Sequence, residues 1–317
     1  MKWKVGERVQ LRDAYGEALL ELGRQRQDIV VMDADLQRSN RTFNFGQAYP
    51  DRFFDMGISE ADMVSTAAGM AATGMTVFAT SFAMFVPGRC YDQIRLQVAY
   101  GRTSVKLVGV SAGLTQGPDG ATHQSLDDVA LMRQLPGMTV LVPADATETF
   151  LAIQAAAEIQ GPVYIRLGRY PTPVLFDADF GFQVGVAPAL RSGQDVVLLA
   201  TGIMVAKALE TADILAAQGI DAAVLNVSTI KPLGADAIVG AALGKRLAVT
   251  MEEHSIIGGL GSAVAEILAG SASTPPLLCI GVEDQFGQSG VADELLEYYQ
   301  LTPKQMVGTI LQRLSFQ

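Results

Sequence analysis

The chain is built from two alternating hydrophobic patterns. Short apolar runs predict buried strands, and small-residue or amphipathic stretches of about 10–15 residues predict the helices between them. In the first half the predicted elements are, in order, RDAYGEALLELGRQ (helix), DIVVMDADL and FFDMGIS (strands), EADMVSTAAGMAATG (helix), TVFATS (strand), PGRCYDQIRLQVAYG (helix), SVKLVGVSA (strand), SLDDVALMRQLP (helix), TVLVPA (strand), DATETFLAIQAAAEIQ (helix) and GPVYIRLG (strand). Strands that alternate with helices form βαβ units, so we expect a mainly parallel sheet covered on both faces.

The alternation stops at about residues 170–195 and then starts again. RYPTPVLFDADFGFQVGVAPALRSGQ is rich in proline and glycine, as expected for a linker or a crossing segment. The elements predicted after it are, in order, DVVLLAT (strand), MVAKALETADILAAQ (helix), DAAVLNVST (strand), RLAVTMEE (strand), GLGSAVAEILAG (helix) and LLCIGV (strand). The pattern therefore predicts an α/β fold with two doubly wound domains, residues 1–180 and 181–317.

Composition narrows the classes of function. The 317 residues are 49% hydrophobic and 18% charged, which is typical of a well-buried globular protein. A net charge of −10 argues against nucleic-acid binding, since neutralising phosphates requires clustered lysine and arginine. No apolar run reaches the length of a membrane-spanning helix and the N-terminus is too polar for a signal peptide, so we expect a cytoplasmic protein. Cys90 and Cys279 are predicted to be reduced, buried thiols.

The chain has two histidines for proton transfer near neutral pH. His123 lies in GLTQGPDGATHQS, a glycine-rich segment that follows a predicted strand and also contains Asp119. Loops at the carboxyl ends of parallel strands line ligand crevices, so this segment is either a functional loop or an ordinary surface turn. His254 lies in MEEHSIIGGLGSAVAE, whose glycines lack the full dinucleotide-binding spacing and indicate tight helix–sheet packing.

Acidic residues follow two of the predicted strands. Asp33 and Asp35 stand at alternate positions in MDADLQRSN, but no further acid or histidine is nearby, so no metal is assigned to this chain. Glu60 opens the helix after FFDMGIS, where unpaired N–H groups and the positive end of the helix dipole favour an acid. Helix initiation alone would explain Glu60.

Four stretches occur in an order and spacing typical of one enzyme family: MDADLQRSN, MGISEADM, TSFAMFVPGRCYDQIR and GLTQGPDGATHQS. They resemble the pyrimidine-binding and C-terminal domains of the transketolase family, whose cofactor is thiamine diphosphate. The resemblance covers nearly the whole chain and continues through PVYIRLGRYP, EEHSIIGGLGSAVAE and FGQSGVADELL. It implies two α/β domains and the transfer of a two-carbon ketol unit from a ketose phosphate to an aldose phosphate.

The resemblance gives Glu60 a role in cofactor activation. In this family a glutamate in a GxxE pattern hydrogen-bonds N1′ of the aminopyrimidine and favours its imino tautomer, which then takes the proton from thiazolium C2. Phe85 matches the aromatic residue that stacks on the pyrimidine, and Phe82 either lines the same pocket or is a core residue. Glu60, Phe82 and Phe85 are thus the expected cofactor-binding residues, and Glu60 is also an expected catalytic residue.

Further positions match the family's substrate site. Asp119 and His123 correspond to the Asp and His of DGxTHQ, which bind hydroxyl groups of the donor sugar, and His123 is the second expected catalytic residue. Arg12, Ser39 and Arg169 fall where transketolases bind the substrate phosphate. The structural alternatives for these three residues are a helix-surface arginine, a serine in a turn and a structural ion pair.

Some features depart from the family pattern or leave alternatives open. Ser111 stands where typical transketolases have a substrate-binding histidine, and Gly88 where they have an aromatic residue near the pyrimidine. The acceptor preference, and whether the sugar is an unusual one, therefore stay open. Parts of the sequence also resemble deoxyxylulose-phosphate synthase and the β chains of 2-oxo-acid dehydrogenases. A non-catalytic regulatory subunit is another alternative, against which the joint presence of the catalytic and cofactor-binding residues argues.

One part of the family's site has no match in the sequence. Full-length transketolases carry an N-terminal domain whose GDG…N motif binds Mg²⁺ and the diphosphate, and no GDG with a downstream asparagine occurs here. We therefore expect this chain to be the C-terminal (β-type) subunit of a split transketolase. Thiamine diphosphate and Mg²⁺ would be its cofactors, with Mg²⁺ bound mainly by an α subunit that has the motif. The family implies an α₂β₂ assembly with β–β contacts.

Overall fold

The structure of the chain is a computed structural model, and it describes residues 2–315. These residues contain fourteen strands: β1 (Arg8–Val9), β2 (Ile29–Asp33), β3 (Phe53–Asp55), β4 (Thr76–Phe82), β5 (Val105–Ala112), β6 (Thr139–Leu141), β7 (Val163–Gly168), β8 (Thr172–Pro173), β9 (Ala189–Arg191), β10 (Val196–Ala200), β11 (Ala222–Asn226), β12 (Thr229–Lys231), β13 (Leu247–Ser255) and β14 (Leu277–Val282). Each strand predicted from the sequence is present.

The same residues form thirteen α-helical segments: α1 (Leu11–Gln25), α2 (Gln37–Asn40), α3 (Phe43–Ala48), α4 (Glu60–Ala72), α5 (Val86–Arg89), α6 (Tyr91–Gln93), α7 (Asp128–Arg133), α8 (Ala146–Glu158), α9 (Met204–Ala216), α10 (Ala235–Ala242), α11 (Leu260–Ala269), α12 (Ala292–Tyr298) and α13 (Pro303–Ser315). A π-helix, Ile94–Tyr100, continues α6, and short 3₁₀ turns occur at Pro50–Arg52 and Leu114–Asp119. All predicted helices are present, and the predicted helix over PGRCYDQIRLQVAYG is divided among α5, α6 and the π-helix.

The first sheet has seven strands in the spatial order β12-β6-β7-β5-β4-β2-β3. Its neighbouring strands are parallel, except that β12 runs antiparallel to β6. The strands β2, β4, β5 and β7 are buried at every position. Side chains of α1 and α8 cover one face of this sheet, and those of α4 and the π-helix cover the other. Burial on both faces explains why these strands are continuous apolar runs.

The second sheet has five strands in the order β14-β13-β10-β11-β9, and only β9 runs antiparallel to its neighbour among these strands. Its two faces pack against α9 and α13 on one side and α10 and α11 on the other. The predicted fold class, two α/β domains with mainly parallel sheets, is thereby confirmed. The exact boundary at residue 180 stays a prediction.

Two strand pairings lie outside the predicted pattern. β8, just after the first domain's last central strand, pairs antiparallel with β1 near the N-terminus. β12 comes from the second half of the chain but joins the first sheet through β6. The two domains therefore share a strand pairing as well as a packing surface.

Close packing at the start of α11 agrees with the prediction made for the GGLG glycines. A Cβ atom on Gly261 would lie 2.7 Å from the sulfur of Cys279. Cys90 is buried as predicted, whereas Cys279 is partly exposed, so its predicted burial is wrong, and both thiols are free. Within residues 2–315, no helix combines the length and apolar character needed to cross a membrane.

Candidate active site

The predicted site residues follow five adjacent strands of the first sheet. In the order β7-β5-β4-β2-β3, the segments after these strands contain Arg169, the 113–125 loop, Phe85, Ser39 and Glu60. Because the five strands are parallel, their carboxyl ends meet at one edge of the sheet, where α/β proteins bind ligands. The fold therefore brings the predicted residues to one edge.

Glu60 is the first residue of α4 and is only 5% exposed. Its Oε1 atom accepts a hydrogen bond from Nη1 of Arg89 at 3.1 Å, and Arg89 is half exposed. Arg89 is the one hydrogen-bond partner of the Glu60 carboxylate within residues 2–315. The Glu60 side chain is thus oriented by a cation and keeps its second oxygen available for a ligand.

Three aromatic rings form a wall beside Glu60 and Arg89. The rings of Phe82 and Phe85 stack with centroids 5.7 Å apart, and His123 stands edge-on to Phe85 at 5.3 Å. The guanidinium carbon of Arg89 lies over the Phe85 ring, 3.9 Å from its centroid. Phe82 is buried at the end of β4, while Phe85 is partly exposed. The wall offers an apolar face next to a carboxylate.

Glycines shape the 113–125 loop, which carries Asp119 and His123. Gly113, Gly117 and Gly120 all have φ between +76° and +84°, a region that strongly favours glycine. Asp119 accepts a hydrogen bond from Nε2 of Gln116 at 2.5 Å. His123 pairs through Nδ1 with the hydroxyl of Thr122 at 2.9 Å. The loop therefore presents a carboxylate and an imidazole on the same segment.

Arg12, Arg41 and Arg169 lie close together at the same edge. Nη1 of Arg12 donates to the carbonyl oxygen of Ser39 at 3.1 Å, and Nη1 of Arg169 lies 3.5 Å from Oδ2 of Asp119. Burial, together with repulsion from Arg41 and Arg169, lowers the pKa of Arg12 below its ordinary value. An anion bound here would relieve that repulsion. Arg12 thus contacts the backbone of Ser39, and Arg169 lies near Arg12 and beside Asp119.

Both departures from the family pattern lie at this edge. Ser111 is fully buried in β5 with φ +61°, and its hydroxyl oxygen has no hydrogen-bond partner within residues 2–315. A serine in the left-handed region is uncommon and often marks a functional position. Gly88 is exposed, and a Cβ atom there would meet no atom within 4 Å. Space is therefore open where the family has an aromatic ring.

Two buried ionic groups that are not among the predicted site residues have structural partners. Arg166, which lies near the predicted phosphate residues in sequence, is 6% exposed and pairs through Nε with Oδ2 of Asp128 at 2.9 Å. Asp33, the last residue of β2, accepts hydrogen bonds from Nδ2 of Asn40 at 3.0 Å and from the hydroxyl of Thr42 at 2.7 Å. Within the described part of the chain, no group of three or more His, Cys, Asp or Glu side chains is arranged to hold a metal ion.

Sequence reasoning missed Arg89 and Arg41 as members of the site. Arg89 lies in the quoted stretch TSFAMFVPGRCYDQIR, and its place one helical turn after Phe85 was the available signal. Arg41 has φ +67° at the end of α2 and pairs with Asp13 at 2.6 Å. No local pattern marks that residue, because its position depends on how α2 packs beside α1.

Two family models match the chain: the transketolase pyrimidine-binding domain over residues 7–173 and the transketolase C-terminal domain over residues 185–306. The chain belongs to the transketolase family, as its sequence motifs predicted. It is 45% identical over 297 residues to a 6-deoxy-6-sulfo-D-fructose transketolase subunit of Clostridium sp. (strain MSTE9), covering 94% of this chain and 92% of the relative. It is also 37% identical over 302 residues to one of the apulose-4-phosphate transketolase subunits of Phocaeicola vulgatus, covering 95% and 96%.

Solved structures show the same architecture. A chain described as a split gene transketolase in an inactive beta4 tetramer has a TM-score of 0.90 and 45% identity, covering 97% of this chain and 99% of its own. The transketolase of Campylobacter jejuni has a TM-score of 0.82 at 23% identity, which shows the fold alone, and this chain covers 47% of it. The chain thus matches subunit-length relatives end to end and about half of a longer transketolase.

Proposed function

We propose that this chain is the β-type subunit of a split transketolase. With thiamine diphosphate, the enzyme would transfer a two-carbon ketol unit from a ketose phosphate to an aldose phosphate. One observation carries the proposal: a buried carboxylate with an available oxygen, an aromatic wall and paired arginines lie along one sheet edge. The two relatives named as transketolase subunits support it, since each matches over at least 92% of its own length.

The residues present fit the aminopyrimidine part of thiamine diphosphate. That ring needs an apolar face for stacking and a carboxylate at its edge. Phe82 and Phe85 provide the face, Glu60 provides the carboxylate, and the open space at Gly88 leaves room beside them. When bound, thiamine diphosphate supplies the electron sink that allows a carbon–carbon bond next to a carbonyl to break and form.

Glu60 would hold a proton at the ring nitrogen that faces it. Burial keeps bulk water from competing for that hydrogen bond, and in a low-dielectric setting the bond is stronger. The hydrogen bond from Arg89 to Oε1 fixes the carboxylate and leaves Oε2 for the ring. Glu60 therefore acts as the general acid–base group of this half of the site.

Asp119 and His123 would face the sugar. The Nδ1 atom of His123 is engaged by Thr122, so Nε2 can bind a sugar hydroxyl and exchange a proton with it. Asp119, held by Gln116, can accept a hydrogen bond from another hydroxyl. The substrate phosphate would lie between Arg12 and Arg169, with Ser39 beside them.

We assign the diphosphate and Mg²⁺ to a separate α-type subunit with a GDG…N motif, in a cytoplasmic α₂β₂ assembly with β–β contacts. The similar split gene transketolase described as an inactive beta4 tetramer supports the need for a second kind of subunit. The arginine cluster favours a phosphorylated sugar over a short 2-oxo acid, which has no distal phosphate. Unusual sugars are also candidates, since one relative is named for a sulfonated ketose and one for apulose 4-phosphate.

The test is reconstitution. The purified chain is mixed with an α-type subunit, thiamine diphosphate and Mg²⁺, and ketol transfer between a ketose phosphate and an aldose phosphate is followed by product formation. Glu60→Ala should abolish transfer, whereas Asp62→Ala, an exposed acid in the same helical turn, should leave it unchanged.

Two results would contradict the proposal. One is transfer at the wild-type rate with Glu60→Ala. The other is tight, Mg²⁺-dependent binding of thiamine diphosphate to this chain alone, measured by calorimetry, which would remove the need for a second subunit. Lack of transfer with sugar phosphates but turnover of a 2-oxo acid would favour a dehydrogenase-type subunit instead.

A further inference from the structure

The 113–125 loop faces the proposed substrate with one side and contacts the second domain with the other. Glu253, in β13 of the second domain, is 3% exposed. Its Oε1 atom accepts a hydrogen bond from the backbone N–H of Thr115 at 2.5 Å, across 138 residues of sequence. A buried carboxylate of one domain therefore binds the backbone of the loop that carries Asp119 and His123.

The loop is shaped to admit that carboxylate. A Cβ atom on Gly113 would overlap the carboxylate of Glu253, so any larger residue would displace it. Arg166 lies beside the same contact and donates through Nη2 to the carbonyl oxygens of Glu253, at 2.8 Å, and Ser125, at 3.3 Å. The guanidinium thus ties the strand that holds Glu253 to the far end of the loop.

A second contact from the same domain supports the middle of the loop. Nε2 of Gln124 donates to the carbonyl oxygens of Leu114, Gly117 and Gln288, at 2.9–3.2 Å. The segment after β14 therefore closes against the loop, and a Cβ atom on Gly120 would lie 2.5 Å from the hydroxyl of Ser289. These bonds connect the two ends of the loop to each other and to the second domain.

We propose that Glu253 is a positioning residue: it holds the 113–125 loop so that Asp119 and His123 face the substrate. Its carboxylate hydrogen-bonds the loop backbone at Thr115, so it acts through the loop and not on reacting atoms. For the catalytic consequence, this inference rests on the function proposed above. The second domain would then contribute to the reaction by fixing the geometry of a loop that belongs to the first.

Loss of the carboxylate should loosen the loop without unfolding the domain. The buried N–H of Thr115 would lose its acceptor, and the bonds that Gln124 and Arg166 make to other parts of the loop would not replace it. Small displacements of positioned groups reduce rates strongly because productive geometry is narrow. Glu253→Gln keeps an oxygen acceptor of nearly the same shape and should therefore behave almost like the wild type.

Hydrogen exchange of the purified full chain tests the loop itself. Amides of residues 113–125 should exchange at least about tenfold faster in Glu253→Ala than in the wild type. Glu253→Gln should exchange within about twofold of the wild type. The matched control is Glu266→Ala, which removes an exposed inter-domain ion pair to Arg133 and should leave the loop amides unchanged. If Glu253→Ala does not fold, Glu253→Asp, whose carboxylate is withdrawn by one methylene, replaces it.

Kinetics of the reconstituted enzyme test the consequence. Glu253→Ala should lower kcat/KM for the ketose phosphate about 10–100-fold, with the KM for thiamine diphosphate changed less than about threefold. Unchanged loop exchange in folded Glu253→Ala would overturn the inference. So would equal loosening by Glu266→Ala, or a Gln variant as impaired as Ala. A loosened loop in a protein that transfers no ketol group would sustain the positioning role and contradict the proposed function instead.

Discussion

Two buried glutamates, Glu60 at the start of α4 and Glu252 in β13, differ in the partners of their carboxylates. Each is buried at the carboxyl edge of its sheet, next to the first turn of a helix. Glu252 accepts hydrogen bonds from the backbone N–H groups of Leu260 at 2.7 Å and Gly261 at 2.8 Å, so it caps α11. Glu60 bonds to the side chain of Arg89 and to no backbone N–H within residues 2–315.

The contrast separates a capping acid, Glu252, from a buried acid that caps no helix within residues 2–315, which agrees with the ligand-binding role proposed for Glu60. Helix initiation explains Glu252 fully, because both of its oxygens are occupied by the helix it precedes. Glu60 also lies at the positive end of a helix dipole, but within residues 2–315 its carboxylate binds no backbone donor of α4. We call the edge of the first sheet the open edge, because Glu60 keeps an oxygen without a hydrogen-bond partner in residues 2–315, and the edge of the second sheet the closed edge, because it packs against the first domain.

The largest effect on activity should follow Glu60→Gln, which preserves the shape of the side chain. Glu60→Gln keeps a hydrogen bond but cannot hold and release a proton, so we expect kcat of the reconstituted enzyme to fall about 10²–10⁴-fold. The melting temperature of the isolated chain should stay unchanged, since no backbone donor loses a partner. Asp62→Asn is the control. If Glu60→Gln instead lost stability and retained kcat, Glu60 would be a structural residue like Glu252.

Glu252→Ala should show the opposite profile. Two buried N–H groups at the start of α11 would lose their acceptor, and we expect the free energy of unfolding to fall by about 2–4 kcal/mol at neutral pH. Urea unfolding followed by circular dichroism measures this change. Glu266→Ala on the exposed face of the same helix serves as the control and should alter stability little. Unchanged stability in Glu252→Ala would remove the capping role.

A smaller effect is expected for Arg12, whose substitution should weaken the binding of the substrate phosphate. Arg12→Ala should raise the KM for a phosphorylated sugar about 10–100-fold and leave the KM for the unphosphorylated sugar unchanged. Arg24→Ala, an exposed arginine near the other end of α1 that pairs with Glu21, is the matched control. An equal effect on both sugars would argue against Arg12 as a phosphate ligand.

The smallest expected effect is on the pH dependence of folding stability, to which Glu252 and His254 at the closed edge contribute. Burial raises the pKa of Glu252 to about 7 and lowers the pKa of His254 to about 4. Between the unfolded pKa of a glutamate, about 4.5, and pH 7, the folded chain binds more protons at Glu252, so this residue makes stability fall as pH rises. His254 acts in the opposite direction from pH 4 to about 6.5, because the unfolded chain binds more protons there.

Glu252→Gln removes the contribution that makes stability fall as pH rises, and it leaves the opposite contribution of His254. Thermal unfolding of the variant between pH 5 and pH 7 should therefore show stability that rises more steeply with pH than in the wild type. The comparison uses slopes, since the amide also loses one capping bond at every pH. Parallel slopes for the variant and the wild type would show that Glu252 does not titrate in this range.

The sequence by itself determined the α/β class, the strands and helices, and the residues at the open edge. Local hydrophobic pattern sets these elements because the central strands are buried on both faces and each long helix on one. Parallel strands then place Glu60, Phe85 and Asp119 together with no further information. The residues in these motifs were predictable for that reason.

Only the tertiary structure decided which charged residues pair with one another behind the candidate site and which ones face it. The pairing of Arg166 with Asp128, the contact of Glu253 with Thr115 and the insertion of β12 into the first sheet all join distant parts of the chain. Such contacts depend on how two finished domains pack, and local patterns of hydrophobicity do not encode them. Packing therefore gives three buried glutamates different partners: the backbone of α11 for Glu252, the backbone of the 113–125 loop for Glu253 and the Arg89 side chain for Glu60.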